Sequence, residues 1–399
     1  MRWRNINTGM LLNSLANVGR SLVNPLFIAL ISYLFLKMDL PGELQAINKI
    51  TALINLLLVF SGWGLKDYLV KESVRLRATG PGNDFNSSWH LAFASKLPLL
   101  AGLAVISFIV LAGGSALFVV AIAVFRTYNA LYEPLVILHK KNLLFFLLDG
   151  FSAVVLAGSV FLGIVRSYAI FFCLLAVAEL VKTLIAYFIF RLPARYPGSF
   201  RQWLGFLKET RFYFLLVLVS FFQSRVDLYV LGFLFSPGKL NEYQLLSSLL
   251  ALSQVIIAAY VVSYSKLLYR NIRASERSFR RLLLLTGGLV ALGASVFIYV
   301  LLNYLYQFNF SPLSAFIVAW NGMAFAWTLY EMYYYTKLNW LNRVLLFLFL
   351  SGLFNFALCL LLIGPLEVTG ALLANTGSMT LLGLLMFWRR AKMTRELSA

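Results

Sequence analysis

The stretch Leu99-Leu-Ala-Gly-Leu-Ala-Val-Ile-Ser-Phe-Ile-Val110 contains no charged residue, and Val344-Leu-Leu-Phe-Leu-Phe-Leu350 has the same character in the second half of the chain. Neither stretch alternates polar and apolar residues, as a membrane-spanning strand would. Similar runs recur along most of the 399 residues, of which 61% are hydrophobic and 12% are charged. A spanning helix needs roughly 20 apolar residues. The sequence therefore predicts an all-α integral membrane protein and excludes a water-soluble domain.

The apolar runs predict about twelve transmembrane helices joined by short polar connections. The predicted spans are 9–36, 44–65, 91–111, 115–138, 143–165, 168–190, 212–235, 243–265, 282–305, 312–335, 341–363 and 367–388. No small-residue cleavage site follows the first run, so we expect that run to remain as a helix. Cys173 and Cys359 fall within spans and are interpreted as packed thiols, not as a disulfide or a metal site.

The net charge of +19 is distributed unevenly between the two sides of the predicted membrane. The termini and every second connection hold 25 of the 34 basic residues, whereas the other connections hold only Lys37, Arg166 and Lys239. Because positively charged loops stay in the cytoplasm, we expect both termini to be cytoplasmic in a bacterial inner (cytoplasmic) membrane. The charge is interpreted as a topology signal that also contacts anionic lipid headgroups, and not as a nucleic-acid-binding surface.

The chain is predicted to consist of two lobes of six spans each. The lobes are 1–190 and 212–399, and the connection 191–211 between them is predicted to form an amphipathic helix on the cytoplasmic membrane surface. In that connection the apolar side chains Trp203 and Phe206 are interleaved with Arg201 and Lys208.

Two short matches support an internal repeat. Pro41-Gly-Glu-Leu44 is echoed by Pro237-Gly-Lys-Leu240, and Leu131-Tyr-Glu133 is echoed by Leu329-Tyr-Glu331, at offsets of 196 and 198 residues. Two six-span halves that both start in the cytoplasm form a parallel repeat about an axis along the membrane normal. Transporters with such repeats place the substrate between the halves.

Ionisable residues inside the spans are the first functional candidates, because charge in hydrocarbon is costly unless it faces protein or water. The cations are Arg20, Lys49, Lys96, Arg126, Lys182 and Arg225, and the acids are Glu133, Asp149, Glu179, Asp227 and Glu331. Five of the six cations lie in the first half. We therefore expect the first lobe to be the electropositive one.

Span 1 has the clearest polar pattern. Asn13, Asn17, Arg20 and Asn24 recur at i, i+4, i+7 and i+11, which places them on one helical face. Pro25 is expected to kink the helix beside Arg20. The pattern predicts one wall of a hydrated cavity, and a polar seam between helices is the alternative.

Other charged positions allow two interpretations each. Lys49 either lines the cavity or extends to the lipid headgroups, and Lys96 is expected to extend to the cytoplasmic headgroups. Arg126 either binds substrate or forms a salt bridge with a neighbouring helix, with Asp149 as a candidate partner.

Two further acid–base pairs lie within single spans. Glu179 and Lys182 are three residues apart and are expected to neutralise each other. In span 7, Arg225 and Asp227 point in different directions, so one of the two is expected to face the centre.

Nothing in the sequence indicates an enzyme. His90 and His139 have no Asp, Glu or Cys neighbours at metal-ligand spacing, and no glycine-rich phosphate loop is present. The connections on the predicted outer side are too short to hold a catalytic domain. We therefore expect no cofactor and no metal.

The chain resembles the polysaccharide-biosynthesis flippases (O-antigen and related exporters) of the multidrug/oligosaccharidyl-lipid/polysaccharide (MOP) exporter superfamily. The local similarities are Ser61-Gly-Trp-Gly-Leu65 followed by Lys71-Glu72, Arg225-Val-Asp227 followed by Leu231-Gly232, and Tyr243 at the start of span 8. The resemblance implies a V-shaped pair of lobes, a cationic central cavity and alternating access.

In lipid II flippases of this superfamily, basic residues on spans 1, 2 and 8 are important for the substrate diphosphate. Arg20 and Lys49 match the first two positions. Span 8 departs from the pattern, since it has no basic residue before Lys266, and Arg225 or Arg126 is the expected substitute.

These observations predict a flippase for a polyprenyl diphosphate-linked oligosaccharide. Its expected partners are membrane lipids and the glycosyltransferases and polymerase of the same pathway. The sequence shows no nucleotide site, so the expected driving force is an ion gradient or substrate consumption, and Asp149, Glu179 or Asp227 is the candidate carrier of a coupling ion such as a proton. The alternatives are a cation-coupled multidrug exporter of the same superfamily and a non-transporting membrane scaffold for polysaccharide assembly.

Overall fold

The computed structural model describes residues 8–66, 68–69, 72, 85–110, 114–190, 199–235, 239–269, 273–338 and 340–396. Every regular element in these ranges is helical, and none of the described residues is in a strand. Eleven described helices are long and apolar enough to cross a membrane. The chain is therefore a multi-pass membrane protein.

The helices follow the predicted spans closely. They are α1 (Thr8–Lys37), α2 (Pro41–Gly62), α3 (Phe85–Val110), α4 (Gly114–Leu138), α5 (Asn142–Phe161), α6 (Tyr168–Phe190), α7 (Phe200–Glu209), α8 (Arg211–Tyr229), α9 (Leu240–Tyr269), α10 (Arg273–Val300), α11 (Pro312–Lys337) and α12 (Leu341–Glu396). One turn of π-helix extends α8 over Val230–Phe235, and another extends α10 over Leu301–Leu305. Spans 1–6 are α1–α6, spans 7–10 are α8–α11, and α7 is the helix in the connector.

Helix α12 is two spans joined by a tight turn. Its 56 residues would measure about 84 Å if straight, far more than the roughly 30 Å hydrocarbon core. The backbone leaves the helical region at Glu367, with φ 47° and ψ −120°, two residues after Pro365. A Cβ on Gly370 would lie 2.2 Å from the Leu362 carbonyl oxygen, so the chain reverses there. The arms 341–366 and 368–396 therefore correspond to predicted spans 11 and 12.

The chain divides into two compact units. Unit 1 comprises Met1–Val23 and Met38–Leu218, and unit 2 comprises Asn24–Lys37 and Val219–Ala399. The second part of α1 packs within unit 2, where the Tyr306 hydroxyl donates to the Ala29 carbonyl at 2.7 Å. Helix α1 is continuous through Pro25.

In unit 1, the end of α2 packs on the connector. Trp63 has a left-handed backbone conformation and donates from Nε1 to the Leu207 carbonyl at 3.0 Å, while its ring stacks on Phe214 at 4.0 Å. Gly64 has φ 63°, and a Cβ there would lie 2.5 Å from the Tyr213 backbone. This close approach explains the glycine of the Ser-Gly-Trp-Gly segment.

The short helix α7 begins with a capping box. The Ser199 hydroxyl accepts from the Gln202 amide, and the Gln202 side chain accepts from the Ser199 amide. Phe206 and Leu207 are buried, whereas Phe200 is exposed. The helix is therefore amphipathic, as the alternation in 191–211 predicts.

The two segments of the first sequence match, represented by Glu43 and Lys239, occupy similar places in their units. In unit 1, Glu43 accepts a hydrogen bond from the Tyr168 amide at 2.7 Å and so joins the starts of α2 and α6. In unit 2, Lys239 Nζ lies 3.7 Å from the Glu367 carboxylate and joins the start of α9 to the start of the second arm of α12. The same pair of spans is thus linked in each half, which supports the repeat.

The sequence-based placement of Lys96 and Cys173 was wrong. Lys96 is buried, and its Nζ donates to the Ser61 carbonyl at 2.6 Å and to the Gly62 carbonyl. The last carbonyls of α2 lack partners within their helix and carry the negative end of its dipole, so they hold the ammonium inside the protein. Cys359 is buried as expected, but Cys173 is exposed because it faces outward from α6.

Candidate functional site

A continuous series of salt bridges crosses unit 1. Arg20 on α1 contacts two carboxylates: its Nη2 lies 2.8 Å from Glu133 Oε1 on α4, and its Nε lies 3.1 Å from Asp149 Oδ2 on α5. Lys66 Nζ lies 3.1 Å from the other oxygen of Glu133. Lys182 Nζ on α6 lies 2.5 Å from the other oxygen of Asp149. We call Lys66, Glu133, Arg20, Asp149 and Lys182 the ion-pair chain.

A second salt bridge lies beside the ion-pair chain. Arg126 Nε on α4 lies 2.8 Å from Glu179 Oε1 on α6. The Asn129 amide donates to Glu179 Oε2 at 2.9 Å, and the Thr183 hydroxyl donates to Asn129 Oδ1 at 3.0 Å. Both oxygens of Glu179 are thus held by α4.

These contacts correct two expected pairings. Arg126 does form an interhelical salt bridge, but its partner is Glu179 and not Asp149. Glu179 and Lys182 do not pair with each other by direct contact; each reaches across to a neighbouring helix. The carboxylates and cations of neighbouring helices are the closer partners here.

The ion-pair chain carries one excess positive charge, because it contains three cations and two acids. Its side chains remain partly exposed, with relative accessibilities of 9% for Arg20, 18% for Asp149 and for Lys182, and 25% for Glu133. Each of these side chains thus keeps some accessible surface in the structure.

The side chains of several predicted site residues form no hydrogen bond and no salt bridge among the residues that the structure describes. Asn17 and Asn24 are exposed on α1, and Lys49 on α2 and Arg225 on α8 are half-buried. None of these four side chains forms a hydrogen bond or salt bridge with another described residue. Asn13 belongs to the same stripe of span 1, but its side chain lies outside the described residues. Unpaired polar groups in apolar spans are expected to face water or a polar ligand.

Unit 2 contains a different polar centre around Asp227. One oxygen of this buried carboxylate accepts hydrogen bonds from the Tyr243 hydroxyl and from the Asn375 amide, the latter at 2.8 Å. The other oxygen accepts from the Leu228 amide at 2.9 Å. Helices α8, α9 and the second arm of α12 thereby meet at a single carboxylate.

A series of amides extends from this carboxylate. Asn321 on α11 donates to Asn375 Oδ1 at 3.0 Å and to the Thr376 hydroxyl at 3.1 Å, and Gln254 donates to Asn321 at 3.2 Å. We call these residues together with Asp227 and Tyr243 the Asp227 cluster. These amides were not among the predicted site residues, although amides in an apolar span mark a polar face in the same way as those of span 1.

No group of three or more His, Cys, Asp or Glu side chains suitable for a metal ion occurs among the described residues. The amide and carboxylate oxygens of the Asp227 cluster are the type of ligand that hard cations accept.

The fold is similar to solved transporter structures. The chain aligns with the lipid II flippase MurJ in an inward closed conformation at 14% identity, covering 96% of this chain and 87% of that chain with a TM-score of 0.63. It also aligns with an outward-facing multidrug resistance MATE family transporter of the MOP superfamily at 11% identity, covering 97% and 96% with a TM-score of 0.59. A MOP superfamily transporter from Pyrococcus furiosus aligns at 10% identity, covering 97% and 95% with a TM-score of 0.56.

No protein-family profile and no curated protein matches the sequence. The structural similarity extends over nearly the whole chain, so the protein has the fold of MOP superfamily transporters.

Proposed function

We propose that this protein is a flippase for a polyprenyl diphosphate-linked oligosaccharide in a bacterial inner membrane. The sugar and diphosphate head cannot cross hydrocarbon unaided. In this proposal the cations of unit 1 offset the loss of hydration of the head, while the lipid tail remains in the bilayer. Guanidinium and ammonium groups are the usual partners of phosphate oxygens in proteins.

The concentration of cations inside the spans of unit 1 carries the proposal. Arg20 lies twelve residues from the start of α1, Lys49 thirteen from the end of α2, and Arg126 twelve from the end of α4. At 1.5 Å per residue, each is about 18–20 Å from the helix end that is predicted to be cytoplasmic. A cation at that depth is too far from the surface to serve as a topology signal.

Lipid transport is consistent with the known function of one of the structural neighbours. MurJ is named for flipping a lipid, and the chain shares its fold over nearly its whole length. The protein carries Arg20 and Lys49 on the spans where the resemblance implies contacts with a diphosphate. We assign Arg225, the half-buried arginine of α8, as a further substrate contact together with Arg126, and Asn13, Asn17 and Asn24 as hydrogen-bonding groups for the head.

Ion coupling is assigned to the acids of the spans. Asp227 is the strongest candidate among Asp149, Glu179 and Asp227, because it is the one acid of the three without a salt bridge among the described residues. Hydrogen bonds from Tyr243 and Asn375 hold its carboxylate in place of a cation. A proton or a small cation that binds there would change the charge of unit 2.

The second candidate function is a cation-coupled multidrug exporter, which the MATE neighbours favour. A carrier of cationic drugs needs acids that are available to the drug. In unit 1, however, both oxygens of Glu133, Asp149 and Glu179 are already occupied by neighbouring side chains. The available groups, Lys49 and Arg225, have the wrong sign for such a ligand.

The proposal is tested by the distribution of lipid-linked precursor between the leaflets of cells that carry Arg20→Gln with Lys49→Gln. We expect precursor to accumulate in the cytoplasmic leaflet after export is normalised to the amount of folded protein in the membrane. Arg201→Gln with Lys208→Gln, on the exposed face of α7, is the matched control and should export normally. A normal leaflet distribution in the first variant, together with lost drug resistance in an Asp227→Asn variant, would favour the drug exporter.

A further inference from the structure

The position of Asp149 suggests how a diphosphate site avoids ordinary membrane lipids, an inference that rests on the proposed function. Asp149 places one carboxylate oxygen 3.1 Å from Arg20 Nε and the other 2.5 Å from Lys182 Nζ. A tetrahedral phosphate held between a guanidinium and an ammonium group would present two oxygens in the same way. The carboxylate of Asp149 thus neutralises two cations on different helices that could otherwise bind phosphate oxygens.

We propose that Asp149 is an internal competitor which the substrate diphosphate displaces, and that this competition excludes singly charged phospholipids from the site. Bulk phospholipids greatly outnumber a lipid-linked oligosaccharide, so a site made only of cations would be filled by phospholipid headgroups. A specific site needs an element that disfavours the wrong ligand as well as contacts to the right one.

The charges of the ion-pair chain support this role. Its single excess positive charge does not attract a headgroup with one negative charge strongly enough to displace a carboxylate that already makes two salt bridges. A diphosphate diester carries two negative charges and contacts Arg20 and Lys182 through separate phosphate groups. Displacement therefore favours the doubly charged ligand.

Displacement is sterically feasible and leaves the neighbouring groups paired. The Asp149 side chain keeps 18% of its surface exposed, which leaves room for its carboxylate to move off the two cations. Arg20 keeps its contact with Glu133 at 2.8 Å, and Glu133 in turn keeps Lys66. The rest of the ion-pair chain is thus preserved when the diphosphate binds.

The test measures the affinity of the purified full-length protein for a farnesyl diphosphate-linked sugar and for phosphatidylglycerol in the same detergent. The wild type should prefer the diphosphate. Asp149→Asn should reduce that preference about tenfold, mainly through tighter phosphatidylglycerol binding, since one charge-assisted hydrogen bond corresponds to roughly this factor. The double variant Asp149→Asn with Lys182→Gln restores the charge balance but removes a cation that contacts the diphosphate, so its affinity for both lipids should fall below that of Asp149→Asn.

The controls separate this inference from the proposed function. Glu242→Gln removes an acid from a surface salt bridge of unit 2 and should leave the preference unchanged. Glu133→Gln removes the other salt bridge of Arg20 and should also lower the preference for the diphosphate. This variant replaces Asp149→Asn in the test if Asp149→Asn does not fold. An unchanged preference in both acid variants would overturn the role of Asp149 alone, whereas a wild type without affinity for the diphosphate would overturn the proposed function as well.

Discussion

Units 1 and 2 share a repeat but use different polar chemistry in their interiors. Unit 1 contains the ion-pair chain and the Arg126–Glu179 salt bridge. Unit 2 contains the Asp227 cluster, in which amides and hydroxyls surround one carboxylate. In the proposed mechanism, unit 1 binds the anionic head and unit 2 binds the coupling ion.

The repeated acids Glu133 and Glu331 illustrate the difference. Glu331 is fully buried and pairs with Arg390 at 2.9 Å, and the guanidinium lies 5.2 Å from the ring centroids of Tyr330 and Tyr334. Glu133 keeps 25% of its surface exposed and contacts Arg20 and Lys66. The same position is therefore a buried salt bridge in unit 2 and a partly exposed one in unit 1, as the proposal that unit 1 binds the substrate requires.

The largest effect is expected for Arg20→Ala. The substitution removes one cation each from Glu133 and Asp149, so export should be lost. The free energy of unfolding should fall by roughly 2–3 kcal/mol, which is less than the cost of leaving a buried ion with no partner, because each acid keeps a second cation. Arg20→Lys keeps the charge but contacts both acids less well, and we expect reduced export. Surface glycan and protein abundance are measured together. Full export by the alanine variant would remove Arg20 from the site.

Gly370→Ala should break the hairpin of α12 and with it the last two spans of unit 2. The added Cβ would lie 2.2 Å from the Leu362 carbonyl oxygen, a backbone atom that cannot move away easily. We expect a loss of about 3 kcal/mol in the free energy of unfolding. Gly102→Ala in α3 meets no atom within 4 Å and should be neutral or stabilising. Equal melting temperatures for the two variants would contradict the hairpin.

Lys96→Met separates a structural cation of unit 1 from the functional ones. The substitution removes two hydrogen bonds from Lys96 to carbonyls at the end of α2. We expect a loss of about 1–2 kcal/mol in stability. Export per folded molecule should stay normal, unlike export by the Arg20 variant. The exposed Lys392→Met is the control for melting temperature, and a specific export defect in Lys96→Met would give Lys96 a functional role.

The smallest effect is expected at Lys239, the repeat counterpart of Glu43. A hydrogen bond from Lys239 to Glu242 raises the lysine pKa above its usual value, although the side chain is well exposed. The resulting stabilisation is present below the unfolded-state pKa of about 10.4 and is lost as pH rises through the raised folded-state pKa. Lys239→Ala should cost less than about 1 kcal/mol at neutral pH, because a surface salt bridge contributes little. Thermal unfolding of the wild type and of Lys239→Ala at pH 7 and above pH 11 measures how much Lys239 stabilises the protein at each pH.

Cysteine labelling tests which connections of each unit lie outside the cell and which lie in the cytoplasm. After Cys173 and Cys359 are replaced, single cysteines at Gly114 and Gly238 should react with a membrane-impermeant probe from outside. Cysteines at Ser199 and Ser275 should react only after the membrane is opened. Labelling of Ser275 from outside would reverse the predicted orientation of the chain.

Hydropathy was sufficient to predict the helical class and the approximate spans. A run of twenty apolar residues in a membrane must satisfy its own backbone hydrogen bonds, and a helix does so within the run. The partners of the buried charges were not predictable in the same way. Whether Arg126 meets Asp149 or Glu179 depends on the rotation of α4 against α5 and α6, which no single span specifies. Lys96 was placed wrongly because its partners are backbone carbonyls, which leave no trace in the pattern of side chains.

Transport in proteoliposomes tests the central claim most directly. Purified protein is reconstituted with a fluorescent polyprenyl diphosphate-linked sugar, and the fraction that reaches the opposite leaflet is measured over time. We expect the wild type to move this lipid faster than the corresponding monophosphate, and Arg20→Gln to reduce its rate to that of empty vesicles. Equal rates for the diphosphate and the monophosphate, or unchanged flipping by Arg20→Gln, would contradict the account.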